Sequence, residues 1–171
     1  AIIPLANVAA DLVEQLLDRA FGEGRQARTA YRIREGVGSL EALSFAALDE
    51  DEYLAGTIQL WPVTLTDPEG RNHPLIMVGP VAVLPEKQSE GYGKALMLAA
   101  LGAIDSGSAL PQMMIGDPDY YGRFFGFSAE PTQNWHCPGP FDRGRLLVRC
   151  DNPAILPEEG MLGPWPAALK E

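Results

Sequence analysis

One stretch constrains the fold of this chain more than any other, namely residues 78–97, VGPVAVLPEKQSEGYGKALM. It predicts an apolar strand that ends near Leu84, then a loop, then a helix that begins at Gly91 and Gly93. The first N–H groups of a helix have no intrahelical partner, and the helix dipole adds a partial positive charge there. Because glycine has no side chain, a bulky anion can approach this backbone closely. The stretch is therefore typical of a pyrophosphate site.

Two common phosphate-binding loops do not fit this stretch. A Walker A loop needs glycine where Gln88 stands and serine or threonine where Ala95 stands. A GxGxxG dinucleotide fingerprint needs glycine where Leu96 stands. The pattern Q/R-x-x-G-x-G/A fits residues 88–93 in full. On this loop alone, a glycine-rich helix start that binds nothing stays an alternative.

The strand before the loop contains Gly79 and Pro80 in its middle. Proline lacks the N–H that a sheet ladder needs, so it marks a bulge or an edge strand. A bulge would splay this strand away from the next one and open a cleft beside the helix start. An edge strand is the alternative.

The remaining pattern predicts one mixed α/β domain, with a mostly antiparallel sheet and helices on both of its faces. Helices are expected at about 8–21, 91–105 and 119–125, and strands at 2–5, 43–48, 53–64, 75–84, 113–116, from 127, and 145–150. Asn7 is expected to cap the first helix. Residues 1–150 are expected to form the domain, and the proline-rich residues 151–171 an irregular tail.

Charge and cysteine content narrow the function classes. With 23 acidic and 13 basic residues the net charge is −10, which argues against binding to nucleic acid or to an anionic membrane. No apolar stretch has the roughly 20 residues of a membrane span. The two cysteines make neither a disulfide framework nor a metal set, so we expect no metal and a cytoplasmic location. Five arginines between residues 19 and 34 form either a solvated helix face or an electropositive rim near an anion.

Several stretches together resemble the Gcn5-related N-acetyltransferase (GNAT) superfamily, in particular its small bacterial branch of predicted acetyltransferases. That branch has a strand of the type GPLAVxPxxQxxGxG and a later GDxxYYxRFGF. Here the corresponding stretches are residues 79–85, 88–93 and 116–127. The resemblance covers about residues 1–150, and it implies the GNAT fold with a splayed strand.

The resemblance also implies a site for acetyl-CoA as the cosubstrate. The strand backbone at Val81, Ala82 and Val83 would lie against the acetyl and pantetheine part. The pyrophosphate would be held by Gln88, Ser89, Glu90, Gly91, Tyr92, Gly93 and Lys94. Glu90 would have to point away from that anion. A tyrosine on the short helix would act as the acid on the leaving thiolate. The chain reads YYGRFFGF, one residue longer than the usual spacing, so Tyr121 is favoured and Tyr120 stays a candidate.

The chemistry of acetyl transfer requires a neutral amine, a polarised carbonyl and a protonated thiolate. A phenol with a pKa near 10 suits the last of these tasks. The base stays open among Glu35, Glu41, Glu86 and Asp117, and Asp117 has the alternative role of a helix cap. His136 and Cys137 are adjacent on an extended segment and point to opposite sides, so they do not form a nucleophilic dyad.

The sequence therefore predicts an acetyl-CoA-dependent N-acetyltransferase that acts on a primary amine of an unidentified acceptor by direct attack on the thioester. The negative net charge favours a cationic acceptor. A homodimer through the proline-rich tail is a further expectation. The alternatives are a non-catalytic CoA- or acyl-CoA-binding regulatory module of the same fold, and a relative that moves a different acyl group.

Overall fold

The computed structural model describes residues 1–107 and 110–169. Its helices are α1 (Ala10–Phe21), α2 (Thr29–Ile33), α3 (Tyr92–Gly107) and α4 (Pro118–Phe125). Its strands are β1 (Ile2–Pro4), β2 (Phe45–Leu48), β3 (Leu54–Thr66), β4 (Asn72–Val83), β5 (Gln112–Ile115), β6 (Asn134–His136), β7 (Leu146–Arg149) and β8 (Glu159–Pro164). The strand order is β1-β2-β3-β4-β5-β7, and β8 pairs with β3 and β6. The predicted fold class, a mixed α/β structure with a mostly antiparallel sheet, is confirmed.

The chain divides into two compact units. The first consists of Ala1–Gln26, Ser39–Leu60 and Val78–Ala109, and the second of Ala27–Gly38, Trp61–Met77 and Leu110–Glu171. Both β3 and β4 contribute residues to each unit.

In the first unit, β1, β2 and β3 form an antiparallel meander that α1 covers with an apolar face. Leu16 and Leu17 of α1 are buried in one cluster with Ala46 of β2 and Ala82 of β4. Helix α3 packs on β2 through its own buried face, which begins at Leu96. Burial of such apolar side chains is the main favourable term in folding.

Gly56 of β3 shows how tightly the first unit is built. A Cβ atom at this position would lie 2.7 Å from the carbonyl oxygen of Ala82 and 3.1 Å from Cδ1 of Leu96. A distance of 2.7 Å is a steric clash with backbone. Glycine at position 56 therefore allows β4 and α3 to approach β3.

In the second unit, β5 pairs antiparallel with β7, and β8 runs antiparallel to β3 and parallel to β6. The core of this unit includes the fully buried Trp135, Leu146 and Val63. Trp61 also belongs to this core, so Trp61 and Trp135 are packing residues. No helix in the described part of the chain is long and apolar enough to cross a membrane.

The predicted splay of β4 is confirmed by its pairing. The parallel ladder between β4 and β5 joins Ile76 with Gln112 and Met77 with Met113, and it ends there, two residues before Gly79. β4 lies between β3 and β5 in the strand order. As a whole strand β4 is therefore interior to the sheet, whereas its segment with Pro80 has no ladder to β5.

The segment expected to be an irregular tail contains a strand instead. β8 places Leu162 and Gly160 inside and leaves Met161 exposed, which is the alternation of a strand. A Cβ at Gly160 would lie 2.7 Å from the carbonyl oxygen of Thr66, so glycine lets β8 pair with β3 at this point. The prolines stand at the ends of the strand, where they cost little. Residues 170 and 171 of the predicted tail lie outside the described residues.

Two smaller expectations are also wrong. Asn7 does not cap α1, because it closes a short 3-10 turn at Leu5–Asn7 and α1 follows Ala9. No strand begins at Phe127 in the described chain. Ser128 makes a single bridge to Val148 there, and the unpredicted β6 follows.

Candidate functional site

The turn into α3 lies in the first unit and has an unusual backbone path. After a short 3-10 turn at Pro85–Lys87, Gln88 is extended, and Ser89 and Gly91 both have positive φ, 70° and 90°. The first intrahelical bond runs from the N–H of Ala95 to the carbonyl of Gly91. The N–H groups of Tyr92 and Gly93 therefore precede this ladder, at half-buried positions beside the exposed Gly91.

Gly91 meets two requirements of an anion-binding turn. Its φ of 90° is one that residues with a side chain rarely adopt, and a Cβ built on it would meet nothing within 4 Å. The space beside the start of α3 is therefore open. A phosphate could reach the backbone there without displacing protein atoms.

The splayed end of β4 lies beside this turn. A Cβ at Gly93 would lie 3.8 Å from Cγ2 of Val83, and the side chain of Gln88 donates to the carbonyl of Val83 over 3.5 Å. Val81 and Val83 are half-buried, whereas Ala82 points into the core beneath α1. The structure thus brings the predicted acetyl-binding strand and the predicted pyrophosphate turn together.

Charged side chains around the turn are mostly paired. Lys87 Nζ lies 3.5 Å from Asp49 Oδ2. Burial alone would lower the pKa of Lys87. The negative charges of Asp49 and Glu90 have the larger combined effect, so the pKa of Lys87 is raised. Glu86 accepts a hydrogen bond of 2.9 Å from Arg19. The pKa of Glu86 is lowered, mainly by a hydrogen bond from its own backbone N–H and, to a smaller extent, by Arg19. Glu86 is therefore a weak candidate for the base.

The start of α4, in the second unit, is closed by a side chain. The carboxylate of Asp117 accepts a hydrogen bond of 3.0 Å from the N–H of Asp119, and Pro118 occupies the first turn. Gly126, with φ 78°, ends the helix. The alternative prediction for Asp117, a helix cap, is confirmed.

The two candidate tyrosines of α4 stand in different surroundings. Their rings meet edge to face at 4.9 Å. The ring of Tyr121 lies against the backbone, because a Cβ at Gly116 would be 2.7 Å from its Cε2 atom. Burial raises the pKa of Tyr121, and Tyr120 and Asp117 add to this while Arg145 opposes it. Tyr121 therefore holds its proton to higher pH than an ordinary tyrosine does.

Other candidates have structural roles or are solvent-exposed. Cys137 is buried, and burial raises the pKa of its thiol to about 11, so it is a neutral thiol at neutral pH. Glu35 and Glu41 are exposed. His73 bonds Asp67 through Nε2 at 2.9 Å.

Two of the five clustered arginines are buried, which neither interpretation of the cluster predicted. Arg25 is 3% exposed and pairs with Asp18 and Glu14 in the first unit. Arg34, in the second unit, stacks 3.6 Å from the ring centroid of Trp61. The partners of Arg25 lie 7 and 11 residues earlier, on α1. In the sequence, the signal for this pairing was the presence of Glu14 and Asp18 on the preceding helix α1.

No cluster of three or more histidine, cysteine, aspartate or glutamate side chains suited to a metal is found among the described residues.

Comparisons with known proteins agree with one another. A sequence model described as the acetyltransferase (GNAT) domain matches residues 2–129. The chain is similar in structure to YhbS of Escherichia coli, a GNAT family N-acetyltransferase solved in complex with CoA. The two are 22% identical with a TM-score of 0.73, over 96% of this chain and 89% of that one.

Two further solved structures are similar over most of both chains. A GNAT family acetyltransferase of Brucella melitensis, solved in complex with acetyl-CoA, is 25% identical with a TM-score of 0.62, over 94% of this chain and 92% of that one. A protein of Corynebacterium glutamicum described as histone acetyltransferase HPA2 and related acetyltransferase is 17% identical with a TM-score of 0.56, over 92% and 97%. A comparison with curated proteins found no match.

Proposed function

Since the chain belongs to the GNAT acetyltransferase family, we propose that it transfers the acetyl group of acetyl-CoA to a primary amine of an acceptor. The backbone of Val81, Ala82 and Val83 lies along the acetyl and pantetheine part. The turn at residues 88–94 holds the pyrophosphate. A Brucella melitensis relative solved with acetyl-CoA supports this choice of cosubstrate.

The observation that carries the proposal is the turn into α3. Positive φ at Ser89 and Gly91 directs the backbone around an open space, and the helix that follows adds its dipole. An anion can be held there by N–H groups, without a basic protein surface. This resolves the difference between a net charge of −10 and an anionic cosubstrate.

In the proposed reaction, a neutral amine attacks the thioester carbonyl. The new C–N bond forms, the C–S bond breaks, and the electron pair leaves with sulfur. The nitrogen loses one proton and the thiolate gains one. A backbone N–H near Val81 or Val83 polarises the carbonyl. Tyr121 is the proposed acid, with Tyr120 as the alternative, because a phenol that keeps its proton suits this donation.

A second candidate function is a CoA- or acyl-CoA-binding module without turnover. One observation favours it: of the four carboxylates considered as the base, Asp117 caps α4 and Glu86 pairs with Arg19. A module would bind CoA at the same turn and release no thiol.

The proposal extends to assembly and surroundings. We propose that residues 1–150 form the catalytic domain. The enzyme is proposed to be cytoplasmic and to have no nucleic-acid partner. It is also proposed to form a homodimer through residues of the segment after 150. Exposed Ile155 and Met161 in that segment support a contact. Light scattering on the purified protein tests the dimer, which requires twice the 18.5 kDa mass of the chain.

The experiment that tests the function is thiol release. The purified protein is mixed with acetyl-CoA and a panel of primary amines, and free CoA is followed with a thiol reagent. We expect amine-dependent release. Tight CoA binding with no release above background would favour the module. Absence of CoA binding, measured by calorimetry, would remove both functions.

A further inference from the structure

A pocket separate from the proposed acetyl-CoA site lies in the first unit, and its lining includes none of residues 81–94. Its volume is about 230 Å³. A cavity of about 150 Å³ already admits benzene, so this pocket has room for a small organic molecule. Its lining residues fall into two chemical groups. Leu5, Val8 and Val13 supply an apolar wall, and Ser39, Glu41 and Gln59 supply a polar wall. We call this the amphipathic pocket.

The charges of the amphipathic pocket leave one carboxylate in excess. Glu14 lines it as well, but Glu14 pairs with the guanidinium of Arg25. The hydroxyl of Ser44, also in the lining, donates to the carbonyl of Leu40 and accepts from the N–H of Leu60. For Glu41 no ion pair is found within the described residues. Glu41 is thus the group that a bound cation would meet.

The apolar wall is continuous with the proposed acetyl-binding strand. Leu5 and Val13 belong to the same buried cluster as Ala82 of β4. Gln59 lies on β3, whose Gly56 touches that same strand segment. The amphipathic pocket is therefore built on the framework that holds Val81 and Val83 in place.

We propose that the amphipathic pocket holds one end of the acceptor, an ammonium group on a short hydrocarbon chain, with Glu41 as the recognising charge. This rests on the proposed acetyltransferase function. The hydrocarbon lies on the apolar wall, and the nitrogen faces the polar one.

The chemistry of an ammonium beside a carboxylate then defines the acceptor class. A nearby negative charge raises the pKa of an amine, so the nitrogen bound at Glu41 keeps its proton. A protonated amine has no lone pair with which to attack a thioester. The nitrogen that is acetylated is therefore a different one, and the acceptor is a diamine with an apolar spacer. Its distal nitrogen forms the amide, and CoA leaves as the free thiol.

The binding test uses pentylammonium as the probe and 1-pentanol as its uncharged counterpart, without acetyl-CoA. Titrations are followed by the NMR shifts of the Leu5 and Val13 methyl groups, which report on this pocket. We expect pentylammonium to bind more tightly than pentanol. Glu41→Gln should reduce that preference about fivefold, the upper size for a solvent-accessible ion pair. Glu50→Gln, on the exposed turn after β2, changes the net charge equally and should leave the preference unchanged.

The outcomes separate this proposal from the proposed function. Equal affinity for the two probes, or a preference that Glu41→Gln does not change, would overturn the cationic pocket whether or not acetyl-CoA binds. Thiol release then tests the acceptor class. We expect 1,5-diaminopentane to have a higher kcat/KM than pentylamine, and Glu41→Gln to raise its KM with the KM for acetyl-CoA unchanged. Equal kcat/KM for the two amines would contradict the diamine assignment.

Discussion

The helices α3 and α4 each follow a strand, α3 after eight residues and α4 after two, yet their starts are built in opposite ways. At α3 the residue before the helix is Gly91, which has no side chain, and the surrounding turn is exposed and open. At α4 the carboxylate of Asp117 occupies a backbone N–H and Pro118 fills the first turn. Both starts carry the partial positive charge of a helix N-terminus. Only the start of α3 has room for an external anion.

This difference indicates which groups each helix can contribute to binding and catalysis. A helix start with an open turn offers backbone N–H groups, which suits a phosphate of the cosubstrate. A helix whose first turn is already capped offers side chains instead, and α4 presents Tyr121 and Tyr120. The proposed division of labour is therefore backbone binding at α3 and side-chain chemistry at α4. The following predictions test that division, in order of decreasing effect.

The largest effect is expected for Tyr121→Phe. Removing a general acid costs about 100-fold or more in rate, so kcat should fall by at least that factor. The affinity for acetyl-CoA, measured by calorimetry, should stay within twofold of wild type. Tyr120→Phe is the matched control on the same helix, and its kcat should change little. An unchanged rate in both variants would remove the acid role from α4.

The pH profile gives an independent view of the same residue. The acid must be protonated, so activity is lost as pH rises through its pKa. Because burial raises the pKa of Tyr121, the basic limb of kcat/KM should lie above about pH 10, the ordinary value for tyrosine. A basic limb below that value would assign the acid to another group.

A smaller effect is expected for Gly91→Ala, which tests the backbone side of the comparison. At φ 90° an added side chain is strained by about 1–2 kcal/mol, and the turn should relax away from its anion-binding path. We expect the Kd for acetyl-CoA to rise about tenfold, which corresponds to about 1.4 kcal/mol. The change is measured by calorimetry with acetyl-CoA and, separately, with CoA.

Gly102→Ala is the matched control for Gly91→Ala. It makes the same substitution later in α3, at an exposed position with open space around it. Alanine is the better helix former, so this variant should gain up to about 1 kcal/mol of stability and keep its acetyl-CoA affinity. Equal losses of affinity in the two variants would mean that the turn has no special role.

The sequence predicted the features that local chemistry decides. The glycines and prolines around residues 79–93 act within a few residues, so the end of β4 and the start of α3 were predicted to within one position, whereas β4 starts three residues earlier than predicted. The departure of β4 from β5 was predicted for the same reason. The roles of residues 81–83 and 88–94 in binding, and of Tyr121 in catalysis, stay predictions.

Features that depend on distant partners were missed. β8 exists because Gly160 fits against Thr66, almost a hundred residues earlier in the chain, and its own sequence contains two glycines and a proline. Arg25 is buried because α1 supplies Glu14 and Asp18. Counting along YYGRFFGF left two tyrosines open; the ring of Tyr121 lies against Gly116, which the sequence did not indicate, and the choice between the two as the acid stays a prediction.

The smallest effect is expected at Asp117, where the two helix starts differ most directly. Asp117→Ala removes the cap of α4 and should cost about 1 kcal/mol of unfolding free energy, measured by denaturant titration. Asp117→Asn keeps a side-chain oxygen that can accept the hydrogen bond from the N–H of Asp119 but removes the carboxylate. If Asp117 acts only as a cap, the asparagine variant keeps both its stability and its kcat. If Asp117 were the base, the asparagine variant would stay stable and lose about 100-fold in kcat, the effect of removing a general base. The pair of variants therefore separates a helix start that only closes its own backbone from one that also takes part in the reaction.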